Sequence, residues 1–235
     1  MPQSTVEPME NRLLAKLPKE EMERLLPDLK RVSFTLGEVI YESGGQQSFI
    51  YFPTTVIISL LYMMENGSSA EMGVAGNDGL VGIALFMGGD TAPNRAVVQS
   101  AGDALRMKTK VLQEEFARGG MFQRLLLRYT QALMTQMSQT AVCNRLHTVE
   151  QQLCRWLLLS RDRLNSDELI MTQELIANML GVRREGVTHA AGRLQESGLI
   201  AYVRGRITIL DRSGLEGAVC ECYRVVKDEY DRLLA

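Results

Sequence analysis

The sequence predicts an α+β chain: an N-terminal half of short antiparallel strands, one long helix, and a C-terminal helix-turn-helix followed by a hairpin. Three observations predict it. Thirteen of the 20 glycines lie between Gly37 and Gly120, and because glycine punctuates turns, that half should be many short strands. No glycine lies between 121 and 180 and no proline follows Pro93, so the middle of the chain should be helix. From Met171 to Leu210 the pattern changes to two short helical segments around Gly181, then two apolar runs around Gly205. At 235 residues the chain is long enough for two domains.

Taking the elements in order, Met9 to Leu26 carries Leu13, Leu14, Leu17, Met22, Leu25 and Leu26, with Pro18 opening a second piece, and reads as a pair of packing helices. Apolar and β-branched runs follow at 32–34, 38–41, 48–52, 56–64, 70–75, 95–100 and 104–108, separated by glycine-containing turns. Strands at this spacing suggest an antiparallel sandwich or barrel rather than a βαβ sheet. From 121 to 146 an uninterrupted helix is expected. Phe122, Leu126, Tyr129, Leu133, Met137 and Thr140 form one stripe, and Leu125, Leu127 and Met134 widen it enough to face both its own domain and a second subunit. A further helix from 149 to 164 should build a C-terminal core with Leu153, Trp156, Leu157 and Leu159.

Thr172 has the side-chain oxygen to cap a helix over 173–180, Glu174 complements its dipole, and Gly181 stands where a left-handed residue should end it. A second helix starts at Arg183, Arg184 and Glu185, keeps Val187, Ala190, Ala191 and Leu194 at helical spacing, and stops at Ser197-Gly198. Arginines at a helix N-terminus oppose the macrodipole, which argues that they serve something outside the fold. Between 172 and 212 six arginines face Glu174, Glu185, Glu196 and Asp211, a local charge of +2 in a chain whose formal net charge is −2. The run Val203-Arg204-Gly205-Arg206-Ile207 reads as a hairpin turn presenting two arginines.

An apolar fraction of 46% with 23% charged residues is enough to bury a core, and disorder is not implied. The longest apolar stretch, Val56 to Met64, is interrupted by Ser59 and too short to span a bilayer, and the first twelve residues lack the apolar centre of a signal peptide. A cytoplasmic protein without membrane contact is expected. Four unevenly spaced cysteines fit reduced thiols better than a disulfide framework. Cys143 and Cys154 fall in predicted helices and read as buried apolar residues. Cys220-Glu221-Cys222, with no further Cys or His near it in sequence, cannot fill a four-ligand site, so neither metal nor cofactor is expected, and haem ligation by His147 is not favoured. No nucleophile elbow, phosphate loop, His-Glu-x-x-His or Cys-x-x-Cys pattern is present, and an enzyme is not expected.

The run LIANMLGVRREGVTHAAGRLQESGLI (175–200) resembles the helix-turn-helix of the Crp/Fnr family of bacterial transcription regulators, and LGEVIYESGG (36–45) is similar to that family's first β-roll strands. The resemblance implies an N-terminal antiparallel β-roll or jelly roll over 1–120, a dimerisation helix over 121–147 and a winged helix-turn-helix over 148–235. It places Arg184 and Glu185 on the base-reading pair. An arginine can donate a bidentate fork to guanine and a glutamate can accept from cytosine N4. Arg183, Thr188 and His189 would share that outward face. Arg183 departs from a common capping Ser and His189 from a second base-reading Arg, which implies an altered half-site. Thr172 and Gln173 would offer helix N-terminal amides to a phosphate, and Arg204 and Arg206 would sit near the duplex backbone.

The same resemblance points to an effector site at Gly82, Ile83, Arg95 and Ala96. Family members that bind cyclic nucleotides use a Gly-Glu pair at the ribose and an Arg followed by Ser or Thr at the phosphate. Here Ile83 and Ala96 replace two of those partners, which argues against cyclic AMP. Arg95 could instead pair with Asp78 or Asp90. The partners implied are double-stranded DNA as an inverted repeat, a second copy of the chain, RNA polymerase and a small-molecule effector of unassigned identity. Two other readings stay open: a cyclic-nucleotide-responsive regulator, and a β-roll protein-interaction module without specific DNA binding.

Overall fold

The computed structural model describes residues 7–164 and 166–234. The expected helix pair at the start is reduced to two single 3-10 turns, Pro8–Glu10 and Leu14–Lys16, and one helix, α1 (Lys19–Leu25). The cause is Asn11, which is fully buried. Its amide donates to the carbonyls of Pro53 (2.8 Å) and Gly79 (2.9 Å), and its Oδ1 accepts from the N–H groups of Leu13 and Leu14. A side chain that captures nearby backbone donors competes with a continuous helix.

Seven strands follow: β1 (Lys30–Phe34), β2 (Val39–Tyr41), β3 (Phe49–Pro53), β4 (Ile57–Met63), β5 (Ser69–Ala75), β6 (Arg95–Ser100) and β7 (Gly102–Lys108). They form two antiparallel sheets, ordered β2-β6-β4-β5 and β1-β7-β3. Ile50, Phe52, Ile58, Ala96, Val98, Leu105 and Met107 face inward, so the strands pack as two antiparallel sheets, the sandwich-like arrangement that the strand pattern predicts. Gly79 has no room for a side chain, since a Cβ there would lie 2.5 Å from Cε2 of Tyr129.

After β7 comes α2 (Thr109–Arg118), which the sequence does not announce, with Leu112 buried and Phe116 stacked on Phe86 at 5.2 Å. The long helix α3 (Gly120–Leu146) then runs for 27 residues. Its N-terminus is capped from outside: the Glu21 carboxylate on α1 accepts from the N–H groups of Met121 (3.0 Å) and Phe122 (2.8 Å), a favourable place for negative charge. Phe122, Leu125, Leu126, Tyr129 and Leu133 are buried, and the Tyr129 hydroxyl donates to the carbonyl of Leu80. Leu127, Met134, Ala141, Val142 and Leu146 stay exposed on another side of α3.

The C-terminal part begins with α4 (Val149–Arg163), opened by a reciprocal capping box between Thr148 and Gln151. Then come β8 (Glu168–Ile170), α5 (Gln173–Leu180), α6 (Arg184–Glu196), β9 (Ile200–Val203), β10 (Arg206–Ile209), α7 (Arg212–Ala218) and α8 (Cys222–Leu234). The short sheet is ordered β8-β10-β9, so the expected hairpin gains a third strand. Helix α8 packs along α3, with Tyr230 edge-on to Tyr129 at 6.2 Å.

The two halves share buried polar contacts. Arg163 on α4 pairs with Asp78 in the loop after β5, Nη2 to Oδ2 2.9 Å and Nε to Oδ1 3.1 Å, with side-chain exposures of 3% and 10%. Asp78 is thus engaged by Arg163, not by Arg95. Beside it, Gln99 of β6 donates to Ser160 of α4 (2.8 Å), and Ser59 of β4 bonds both Gln99 and the carboxylate of Glu71 on β5. Burial pushes the Glu71 carboxyl up to about 7, against the Ser59 hydrogen bond and the charges of Arg155 and Arg163, which pull it down.

Candidate nucleic-acid interface

Local chemistry builds the helix-turn-helix. The Thr172 hydroxyl accepts from the N–H of Leu175 (3.2 Å), capping α5. Gly181, at φ 65° and ψ 34°, ends it in the left-handed conformation that glycine adopts at least cost. At that turn a Cβ would sit 3.3 Å from Cβ of Ala70, so the turn lies directly against β5. Helix α6 buries Val187, Ala190, Ala191 and Leu194 against α4 and α5 and leaves Arg184, Glu185, Thr188 and His189 exposed.

Arg183 is the N-cap of α6 and makes no capping hydrogen bond, the consequence of an arginine where a short hydroxyl would serve. Thr188 donates to Gln173 Oε1 (2.8 Å), tying the second helix to the start of the first. Gln173 is therefore half-buried and held. The exposed face thus offers guanidinium forks at 183 and 184, one carboxylate at 185 and an imidazole at 189, on a helix whose other side is anchored in the core.

The hairpin tip is Arg204-Gly205, with φ of 50° and 79°. Two positive φ values make the tight turn whose twist suits a two-residue hairpin, and Arg204 is the one non-glycine residue among those described to adopt such a φ. Arg204 and Arg206 are both exposed. Arg206 is ion-paired with Glu168 across the β8–β10 register, a contact that sequence cannot foresee without strand β8.

The residues singled out for an effector lie in the roll. Gly82, at φ 116°, precedes a 3-10 turn over Ile83–Phe86. Ala96 is fully buried within β6, paired with Tyr41 and Leu60. Arg95 meets Glu42 at 3.0 Å, so the partner is neither Asp78 nor Asp90. Gly82 and Ile83 border a cavity of only about 30 Å³, closed by Leu60, Leu133 and Met137. That volume suits one water molecule.

Away from these faces, the fold gathers side chains far apart in sequence. Cys143 and His147 at the end of α3 meet Cys220 and Cys222 beside the start of α8, with one donor atom of each within 4.8 Å of all the others. The expectation that Cys220 and Cys222 lack further Cys or His partners is therefore corrected: they lie 77 and 75 residues from Cys143 and His147 respectively, beyond the reach of a local motif. Cys143 and Cys220 are free thiols, Sγ to Sγ 3.5 Å. Among the described residues no helix is long and apolar enough to cross a membrane.

Comparison with known proteins places this geometry. Residues 151–218 match the Crp-like helix-turn-helix domain. Among solved structures the chain is similar to FixK2 from Bradyrhizobium japonicum, at 16% identity over 82% of this chain and 98% of that one, with a TM-score of 0.70. It is also similar to a CRP family transcriptional regulator from Thermus thermophilus, at 20% identity over 82% and 99% of the two chains, TM-score 0.65. A third is the c-di-GMP responsive global regulator CLP from Xanthomonas campestris, at 14% identity over 83% and 100%, TM-score 0.64. No curated protein matches in sequence. The resemblance to the Crp/Fnr regulators thus holds for the C-terminal domain and, in fold, for 82–83% of the chain.

Proposed function

We propose that this chain, which has the Crp/Fnr regulator fold and carries a Crp-like helix-turn-helix domain, acts as a homodimeric, sequence-specific transcription regulator on an inverted-repeat operator. Residues 1–120 form the sensor or scaffold, 121–147 the dimerisation helix and 148–235 the DNA-binding domain. The observation that carries the reading is the exposed row Arg183, Arg184, Glu185, Thr188 and His189 on a helix whose opposite side is buried.

In the major groove Arg184 donates to guanine O6 and N7, and Glu185 accepts from cytosine N4. His189 reads a neighbouring base, and Arg183 reaches an edge or a phosphate. Thr172, Gln173, Arg204 and Arg206 hold the backbone and set register. Arg206 must share its guanidinium between Glu168 and a phosphate. The exposed apolar residues Leu127, Met134 and Ala141 recur every seven positions on α3, which supports a helix-to-helix dimer there. Two copies then present their readers about 34 Å apart. RNA polymerase is the further partner at a promoter. The water-sized cavity beside Ile83 and the apolar Ala96 support an effector other than a cyclic nucleotide.

An operator selected from random duplexes and titrated against wild-type, Arg184→Ala and Arg206→Ala protein tests the reading. Arg184→Ala should lose about 1–3 kcal/mol on the operator and relax preference at one base pair. Arg206→Ala should weaken operator and scrambled DNA alike. Equal loss on both duplexes from Arg184→Ala, or failure of the random pool to yield any shared sequence, overturns it.

A further inference from the structure

We propose that Cys143, His147, Cys220 and Cys222 form a tetrahedral site for a single zinc ion that ties the end of the long helix to the last helix of the DNA-binding part. Four donors converge, three soft sulfurs and one imidazole, each within 4.8 Å of the rest. Metal–sulfur bonds of about 2.3 Å and metal–nitrogen bonds of about 2.0–2.1 Å at tetrahedral angles set ligand-to-ligand edges of about 3.8 Å between sulfurs and about 3.5 Å between sulfur and nitrogen. The two edges seen are Cys143 Sγ to Cys220 Sγ and Cys222 Sγ to His147 Nδ1, both 3.5 Å. Two of the six edges are thus already close to those of the coordination shell, and the other four are no longer than 4.8 Å.

The surroundings fit the same chemistry. His147 turns Nδ1 toward the sulfurs while Nε2 lies 3.5 Å from the carboxylate of Glu221. A carboxylate behind a ligating imidazole fixes its tautomer and raises its basicity. All three thiols are buried, at 0%, 4% and 1% exposure, whereas Glu221 is open to solvent, so the ion would be shielded from water yet close to the surface. Three thiolates and a divalent ion leave one net negative charge, and the buried guanidinium of Arg155 acts on Cys143 from the α4 side. Hard cations prefer oxygen, and an iron–sulfur cluster holds its ligands farther apart around several irons. Four N and S donors around one point select zinc.

The consequence is mechanical. Cys143 lies in the last turn of α3 and His147 just after it, where the chain turns into α4, while Cys220 and Cys222 stand at the start of α8. A bound ion closes a loop of 77 residues that contains the entire helix-turn-helix.

The full-length chain, purified under reducing conditions, tests this by elemental analysis and by cobalt(II) titration of the metal-free protein. Expected are one zinc per chain and an intense cobalt spectrum with thiolate charge-transfer bands and tetrahedral d–d bands. Cys222→Ser should lose stoichiometric zinc, whereas Cys154→Ser, a buried thiol outside the quartet, should keep it. Glu221→Gln, exposed and harmless to folding, should weaken zinc by about tenfold in chelator competition. Equal zinc binding by wild type and Cys222→Ser overturns the proposal. So does an octahedral cobalt spectrum, or iron with inorganic sulfide in place of zinc.

Discussion

Glu71→Gln should flatten the dependence of stability on pH between about pH 5 and about pH 8. Glu71 is buried at the seam between β5 and α4, and burial holds its carboxyl at about 7 against an ordinary 4.5. A folded-state value above the unfolded one means that the native chain holds the proton over this range while the unfolded chain has released it. Stability from this group is therefore complete below about pH 4.5 and is lost as pH rises through about 7. At about 1.36 kcal/mol per decade, the full difference is about 3 kcal/mol, most of which falls between about pH 5 and about pH 8. Glutamine keeps the shape and a hydrogen bond to Ser59 but carries no proton to lose. Urea unfolding of both proteins at several pH values and one chain concentration measures the difference. Wild type should lose about 2–3 kcal/mol more than the variant across the interval. Parallel curves would refute the reasoning, because they would mean that Glu71 titrates alike in both states.

Three further outcomes are expected. Met134→Glu, at a position 61% exposed on the single chain, should shift the protein to monomer in sedimentation at micromolar concentration while far-UV circular dichroism stays unchanged. Its affinity should fall on an inverted repeat far more than on one half-site. Gly79→Ala forces a methyl group to within 2.5 Å of Tyr129 and should cost about 1–3 kcal/mol, read as a lower Tm. Leu194→Ala, emptying a buried site under the reading helix, should cost about 2–5 kcal/mol and weaken operator and scrambled DNA in proportion to the folded fraction lost.

Much of the fold is legible in the sequence because its signals are local. Each of the seven roll strands coincides with an apolar run bounded by turn residues, and Thr172 and Gly181 mark both ends of α5 by cap chemistry alone. Helix α2 escapes such reading because Val111, Leu112 and Phe116 make a short stripe directly after a strand, with no side-chain cap to announce it. Strand β8 has three residues, too few for alternation to show, and only its pairing with β10 defines it. On the reading face, Arg183, Arg184 and Glu185 can be found from their places at a helix start. The Arg206–Glu168 pair, the Arg163–Asp78 pair and the Cys143–Cys220 contact cannot, because they join residues 38, 85 and 77 positions apart. Sequence periodicity reports which face is buried, not which distant residue meets it.

The Arg163–Asp78 pair turns the orientation of the reader into a matter of thermodynamic linkage. Leaving either buried charge without its partner costs about 3–5 kcal/mol. A signal that swings α4 away from the roll must offset that cost by binding the swung arrangement more tightly than the closed one. The necessary ratio of affinities is about two to four orders of magnitude. A ligand that bound the roll tightly but equally in both arrangements would leave the DNA-reading helices where they stand.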